Sequence, residues 1–497
     1  MRLACPQVRL DCLPISEVKL NLDCRDEIVP ILRALQHVYG DGSLRQELLA
    51  LVGKDVNPST SRKRGRRGMN YWEVTVLAAA RLGCDLDYDK LQDLAENHRN
   101  LRQIMGIGAW QAEEVDFDWR RIEDNLLKLR PETLKKINDL IVRAGHELEP
   151  QAIASVRGDT FVVETNIHYP TESTLIGDGL RKIVPLAAEL AAEYGLDGWR
   201  QHEHLLKNVR KLVRAISRAA RAKGQGTERL KRGYQKLLAF ANDLLTRTQL
   251  LLRTLGFAVD QALALDQVHN AVAPATPEGL LWHYLTLTGK VCANARRRVL
   301  QGETLANEEK IFSIFEPHTE LIQRGKHPNP IQFGHNVLVV EDAVGFVVDY
   351  RVVGNGVLDQ DLVVPVMKAL QQRFAGKIKS ASFDRAFHTP ENQQELAKIV
   401  RTPCIAAKGQ KGQHQQQEGT VAFRQARQHH PGVESAIGAL QAGNGLKRCR
   451  DRSRRGYARY VALGILGRNL QTLGKLLVAQ DEADCQAAKS KRKRAAG

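Results

Sequence analysis

Asp159-Thr-Phe-Val-Val-Glu-Thr-Asn-Ile167 is the stretch on which the fold turns. It is short, β-branched and aromatic, the composition of a buried strand. Upstream, residues from about 26 to 145 repeat their apolar positions at helical intervals, as in Ile28, Ile31, Leu32 and Leu35, or Leu91, Leu94, Leu101 and Ile104. Downstream, a helical and basic stretch runs from about Leu180 to Glu309 and carries Arg210, Lys211, Arg214, Arg218, Arg221 and Lys223. Strands then resume. His335 to Val340, a turn at Asp342-Ala-Val-Gly345, and Phe346 to Val353 read as a hairpin. A helix over about Val363 to Phe374 leads into the strand Ile378-Lys-Ser-Ala-Ser-Phe-Asp384. Another helix covers about Glu391 to Val400, and Pro403 to Ala407 makes a short fifth strand. Strand, hairpin, helix, strand, helix, strand, helix is an α/β order, with a large helical insertion between its first and second strands.

These shifts divide the chain into a helical N-terminal domain (1–150), a first core strand segment (151–179), a basic helical insertion (180–310), the remainder of the core (311–480) and a basic tail (481–497). The polar, glycine-rich run from Gly409 to Gly419 reads as a mobile loop. Pro431 suits the first turn of a helix, Val461 to Leu477 repeats its apolar positions as another, and the tail, with Lys-Ser-Lys-Arg-Lys-Arg, has the composition of a disordered segment.

Lys and Arg number 73 against 56 Asp and Glu, a formal net charge of +17 over 497 residues, which points to a polyanionic partner. A membrane surface is the other polyanion, but no uninterrupted apolar run of about 18 residues occurs. The opening Met-Arg-Leu-Ala-Cys-Pro also lacks the apolar core of a secretory signal, so an intracellular setting is expected. The eight cysteines are scattered without a Cys-x-x-Cys pair, which predicts reduced thiols and no zinc site. The basic turn at residues 61–68, with Arg62, Lys63, Arg64, Arg66 and Arg67, reads either as a solvated loop or as an arm on DNA phosphates. The helical pair Tyr71 to Arg81 and Tyr88 to His98 reads either as an ordinary hairpin or as a helix-turn-helix.

Three acids stand in three different settings: Asp159 on the first strand, Asp384 at the carboxyl end of a later strand, and Glu434 on the helix after Pro431. Carboxylates from separate elements suit Mg²⁺, which takes one or two per ion and fills its other positions with water and phosphate. Each has a rival reading. Glu164 competes with Asp159, and an odd separation along one strand turns the two side chains to opposite faces. Asp384 could cap the segment that follows it, Glu434 could complement a helix dipole, and Glu395 and Glu418 compete with Glu434. His168, His388, His429 and His430 lie close by in sequence and could assist proton transfer. The run Arg448, Arg450, Arg452, Arg454 and Arg455 reads either as a solvated face or, by its alternation, as an extended segment tracking phosphates near the active site.

The motifs Gly65-Arg-Arg-Gly-Met-Asn-Tyr-Trp-Glu73, Asp159 through Leu175, Phe312-Ser-Ile-Phe-Glu-Pro-His-Thr-Glu320 with Gln332-Phe-Gly-His335, Asp384-Arg-Ala-Phe387, and Val433-Glu-Ser-Ala-Ile437 on to Asn469-Leu470 resemble a bacterial insertion-sequence transposase of the DDE class. The likeness is to the ISNCY group and covers most of the chain. It implies an α/β RNase H-like catalytic core with a helical N-terminal domain and a large helical insertion. Carried over, it gives Asp159, Asp384 and Glu434 as catalytic and metal-binding carboxylates, spaced by 225 and 50 residues. Asp159 would bridge two Mg²⁺ (or Mn²⁺) ions, with Asp384 and Glu434 each holding one. Arg385-Ala386-Phe387 departs from the Lys-Gly-Tyr common after the second aspartate, which leaves the auxiliary phosphate ligands unassigned. The implied partners are double-stranded DNA, as element ends and target, and a second copy in a homodimer or higher oligomer, with no membrane. DNA contacts are expected at Arg62, Lys63, Arg64, Arg66, Arg67, Arg210, Arg214, Arg218, Arg448, Arg450 and Arg452, in a nucleoid-associated cytoplasmic protein. The rival functions are an RNase H-like endonuclease without strand transfer and a transposase-derived, non-catalytic DNA-binding protein.

Overall fold

The computed structural model describes residues 2–6, 10–57, 68–108, 110, 115–222, 226–257, 276–323, 330–354, 356–407 and 418–495. The basic turn and most of the Gly409 to Gly419 run lie outside the described residues. Among the described residues seven α-helices come first: α1 (Ile28–Gly40), α2 (Gly42–Val56), α3 (Tyr71–Gly83), α4 (Tyr88–Asn97), α5 (Arg99–Ile104), α6 (Trp119–Leu126) and α7 (Pro131–Leu148). Strand β1 (Ser155–Thr165) precedes α8 (Glu172–Glu193), α9 (His202–Arg221), α10 (Gly226–Thr254) and α11 (Pro277–Ala295). Then come β2 (Glu320–Gln323), β3 (Ile331–Asp342), β4 (Val347–Val352), α12 (Val363–Arg373), β5 (Ser380–Phe383), α13 (Pro390–Ile399) and β6 (Thr402–Ile405). The chain closes with α14 (Val421–His429), α15 (Gly432–Gly443), β7 (Arg448–Cys449) and α16 (Ser453–Ala495).

The seven strands pair into a mixed sheet, so the α/β class stands. β1 runs parallel to β5, from Ser155↔Ser380 to Gly158↔Phe383, and β5 runs parallel to β6. On its other side β1 pairs with β3, and β3 pairs antiparallel with β4. Val337-Leu-Val-Val340 is wholly buried, the continuous apolar run of a strand covered on both faces. The hairpin turn is set by Asp342, whose Oδ1 accepts from the backbone N–H of Val344, Gly345 and Phe346. Gly345 sits there at φ +104°, a conformation that a side chain would strain.

Two compact units result. The first comprises Met1–Glu164, Asn336–Asp451 and Arg455–Gly497; the second comprises Thr165–His335 and Arg452–Arg454. In the first, the N-terminal helices are not a separate domain as the sequence suggested. One apolar core runs from Ile31 and Trp72 through Leu140 to Val337, Phe383 and Leu463. Phe346 of the hairpin lies so close to Gly145 of α7 that a Cβ there would fall 2.2 Å from the ring. Beside it His146 Nε2 stands 2.8 Å from Asp342 Oδ2. α16 enters the same core through glycines: a Cβ on Gly467 would meet Gly83 Cα at 2.6 Å, and one on Gly474 would meet the Pro30 carbonyl oxygen at 1.8 Å. Its backbone therefore lies directly on α1 and α3. The helix continues to Ala495, so the described part of the tail, 481–495, is helical where a disordered segment was expected. Ala, Gln, Lys and Arg, the residues that dominate 486–495, are all strong helix formers.

α3 begins in a capping box between Asn70 and Glu73, and almost all of it is buried, including Trp72. α4 shows solvent Asp89, Asp93 and Lys90, a surface with more acid than base. α3 and α4 thus form a helical pair of which the first is core and the second presents Asp89, Lys90 and Asp93 outward.

In the second unit α8, α9, α10 and α11 pack around Leu180, Ile183, Val184, Leu237, Leu244, Leu281 and Leu287. Gly179 permits the closest approach, since a Cβ would fall 1.9 Å from Thr288 Oγ1. The unit extends past the 180–310 boundaries expected for the insertion. At its C-terminal end β2 pairs with the first residues of β3, from Glu320↔Gly334 to Gln323↔Ile331. The Glu316-Pro-His-Thr-Glu320 motif folds here into a buried chain of contacts. Glu316 Oε2 to His318 Nε2 is 2.9 Å, His318 Nδ1 to His335 Nε2 is 2.8 Å, and His335 Nδ1 to Glu320 Oε1 is 3.1 Å. No described helix is long and apolar enough to cross a membrane.

Candidate active site

The parallel register of β1 and β5 brings two of the three acids together. Gly158↔Phe383 is the last pair, so Asp159 and Asp384 stand one step further on along neighbouring strands. Arg157 and Ser382, paired two residues earlier, lie on the same faces of their strands as these acids. On the opposite face Gly158 makes room for Phe383, whose ring a Cβ would meet at 2.5 Å. Asp159 Oδ1 accepts from the backbone N–H of Thr160 at 2.7 Å. Asp384 is exposed and extended, at φ −71° and ψ 165°. It occupies the cap position of the 3₁₀ turn Arg385–Phe387, yet its side chain makes no capping bond, so its carboxylate is not spent on local structure.

The helix that bears Glu434 starts against this face. It lies exposed in the first turn of α15, whose start is held on the sheet at His430, His429 and Gly432. His430 is buried with Nδ1 3.3 Å from Ser382 Oγ. Arg157 Nη1 donates to the carbonyl of His429 at 3.0 Å. Gly432 lies against the Arg157 guanidinium, where a Cβ would fall 2.0 Å from Nη1. Burial pushes the His430 imidazole below its ordinary value and Arg427 adds to this, while Asp384 and Glu434 act the other way. His430 thus feels both acids. Glu434 N donates to Pro431 O at 3.1 Å.

The rival acids are engaged elsewhere. Glu164 pairs with Arg448 at 2.9 Å, Glu395 pairs with Lys398 at 2.5 Å and with Lys368 at 3.6 Å, and Glu418 Oε1 accepts from Ala407 N at 3.0 Å. Among the histidines, His429 contributes its carbonyl, and His168 faces Asp178 at 3.4 Å. His388 lines a cavity of about 700 Å³ with Gln393, Arg401, Glu418 and Phe423.

Sequence reasoning passed over Arg157 and Glu341. Arg157 Nε donates to Glu341 Oε2 at 2.8 Å, and Glu341 is 2% exposed at the end of β3. Burial pushes the Glu341 carboxyl up, and Arg157 opposes that shift. The signal was present: a cation two residues before Asp159 on one strand must share its face.

The arginines fall into two groups. Arg210, Arg214 and Arg218 are exposed on α9, and Arg452 is exposed in the second unit. Arg448 and Arg450 are paired with Glu164 and Asp85. The extended segment expected from 448 to 455 is a strand only over Arg448–Cys449, and α16 starts at Ser453. Between them Asp451 turns inward to Arg81 and Arg459, which breaks the alternation. Arg62, Lys63, Arg64, Arg66 and Arg67 lie outside the described residues.

Carboxylate oxygens are the hard donors that Mg²⁺ prefers. Among the described residues, no group of three or more His, Cys, Asp or Glu side chains is gathered tightly enough to hold a metal ion. Asp159 and Asp384 share a face, and the helix bearing Glu434 starts against it. Compared with protein-family models, with curated proteins and with solved structures, the chain finds no match.

Proposed function

We propose that the chain is a DDE-class DNA transposase with an RNase H-like core, cutting DNA at the ends of an insertion sequence and joining them to target DNA. One observation carries this reading: Asp159 and Asp384 stand side by side on parallel strands, and the helix bearing Glu434 is packed on the same face. The strand order β4-β3-β1-β5-β6 supports it, since an RNase H-like core sets a central strand between an antiparallel hairpin and two parallel strands. So does the exposed basic face of α9, a surface on which duplex phosphates can release counterions.

In this reading Asp159, Asp384 and Glu434 would hold two Mg²⁺ or Mn²⁺ ions, whose chemistry when bound is activation of the attacking oxygen and neutralisation of charge on the phosphate. The carboxylates fix where the scissile phosphate docks. Rotation of the exposed Asp384 and Glu434 side chains would be needed to gather the ligand set. A dimer or higher assembly on paired ends belongs to the same proposal, as does a bacterial cytoplasmic setting.

The test uses the purified chain and DNA flanking its coding region. Alanine at Asp159, Asp384 or Glu434 should abolish Mg²⁺-dependent cleavage and leave duplex binding near the parental level. Cleavage that survives chelation, or that survives all three substitutions, removes the proposal. Cleavage without joining of the freed 3′ ends would favour the endonuclease reading instead.

A further inference from the structure

We propose that Arg157 is a positioning residue that sets the place of Glu434 by clamping the start of α15 to the sheet, a role resting on the reading of Glu434 as a metal-binding carboxylate. Glu341, His429 and Gly432 converge on its guanidinium. Nε and Nη2 face Glu341 Oε2, both at 2.8 Å, and Nη1 donates to the His429 carbonyl at 3.0 Å. The edge of the group lies against Gly432, the first residue of α15. Glu434 is two residues further along.

The geometry explains three residue choices at once. Glu341 is 2% exposed, so its carboxylate needs a fixed cation, and a forked guanidinium can hold it while a second nitrogen reaches another acceptor. A lysine ammonium in the same place would meet one partner or the other. Glycine at 432 lets the helix start lie against the guanidinium, since a methyl there would fall 2.0 Å from Nη1 and the arginine would have to shift out of its bonds to admit it. Arg157 lies two residues before Asp159 on β1, so the same strand that presents one carboxylate also anchors the helix presenting another. His430 joins the clamp from β5 through Ser382. Arg157 thus links the strand of Asp159 directly to the start of the helix that carries Glu434.

Outer residues that orient metal ligands typically cost about 10- to 100-fold in metal affinity or activity when replaced. Arg157→Lys and Gly432→Ala approach the clamp from its two sides. The first keeps the charge beside Glu341 but gives up the second bond; the second keeps every charge and intrudes on the guanidinium. Mn²⁺ binding to the full chain, followed by electron paramagnetic resonance, gives a readout independent of turnover. Both variants should weaken Mn²⁺ binding about 10- to 100-fold, raise the metal concentration giving half-maximal cleavage in parallel, and leave duplex affinity and unfolding midpoint close to the parent. Adding either change to Glu434→Ala should weaken Mn²⁺ binding no further. If Arg157→Lys unfolds, Gly432→Ala alone decides. Parental Mn²⁺ affinity in a folded variant overturns the clamp and leaves the proposed function standing. A parent that binds no Mn²⁺ and cleaves regardless of Asp159, Asp384 and Glu434 overturns both.

Discussion

Arg81 and Asp451, 370 residues apart, meet at 2.5 Å with their side chains 2% and 3% exposed. Arg459 reaches the same carboxylate at 3.2 Å, and the Arg81 guanidinium also lies over the Tyr88 ring at 4.0 Å from its centroid. Removing one partner of such a pair leaves an uncompensated buried charge, which costs about 3–5 kcal/mol. Arg81→Ala should lower the stability of the first unit by about that amount in urea unfolding. Because α3, the sheet and α16 share one core, the destabilisation should appear as a shift of the whole transition. A midpoint that moves by less than about 0.5 kcal/mol equivalent, the scale of a surface substitution, would show that the pair is solvated.

The α/β order is legible in the sequence because strand and helix periods differ and the segments between Asp159 and Val400 keep to one or the other. The apparent independence of residues 1–150 has a related cause. Helical spacing reports which face of α3 or α7 is apolar, but not what covers it, and Gly145 and Gly83 give no sign in sequence that Phe346 and Gly467 lie on them. Asp384 and Glu434 are identifiable as acids at element ends, whereas the partners of Glu164, the rival of Asp159, and of Glu395, a rival of Glu434, emerge only once Arg448 and Lys398 are placed beside them. The arginine run misleads because alternation says nothing of Asp451, whose partner Arg81 is far away in sequence.

Burial depresses four imidazoles, those of His37, His283, His335 and His430, below the ordinary value of about 6.5. The unfolded chain then binds more protons than the folded one as the medium is acidified. This stabilisation is fully present above about pH 6.5 and is lost as pH falls through the depressed values of the folded state. Urea midpoints should accordingly decline between about pH 7 and pH 5.5, before most carboxylates titrate. His430→Gln should flatten the decline. Equal slopes for parent and variant would mean that His430 exchanges its proton freely in the folded protein.

Glu164 and Asp159 share a strand but differ in their partners. Glu164 is held by Arg448, with Nη2 at 2.9 Å and Nε at 3.3 Å. Glu164→Ala should retain cleavage within a few-fold of the parent while Asp159→Ala loses it. Gel assays of Mg²⁺-dependent cleavage on identical substrate decide the matter, and a dead Glu164→Ala beside an active Asp159→Ala would transfer the first carboxylate role to Glu164.

α9 sets Arg210, Arg214, Arg218 and Arg221 along one exposed face, at helical spacings of four, four and three residues. Its opposite face buries Val209 and Ile216 in the bundle, so the cationic stripe adds little to folding and is open to a polyanion. Arg214→Glu with Arg218→Glu should weaken binding to every duplex, whatever its sequence. The slope of log affinity against log salt should flatten by about one unit for each phosphate that the variant no longer neutralises. Unfolding should shift by no more than about 0.5 kcal/mol, as for other surface changes away from special features. A solvated face without a nucleic-acid role makes the opposite forecast, an unchanged slope with unchanged affinity. Superimposable salt titrations of parent and double variant would therefore strip α9 of its assigned partner while leaving the Asp159, Asp384 and Glu434 site untouched, since the two features belong to different compact units of the chain.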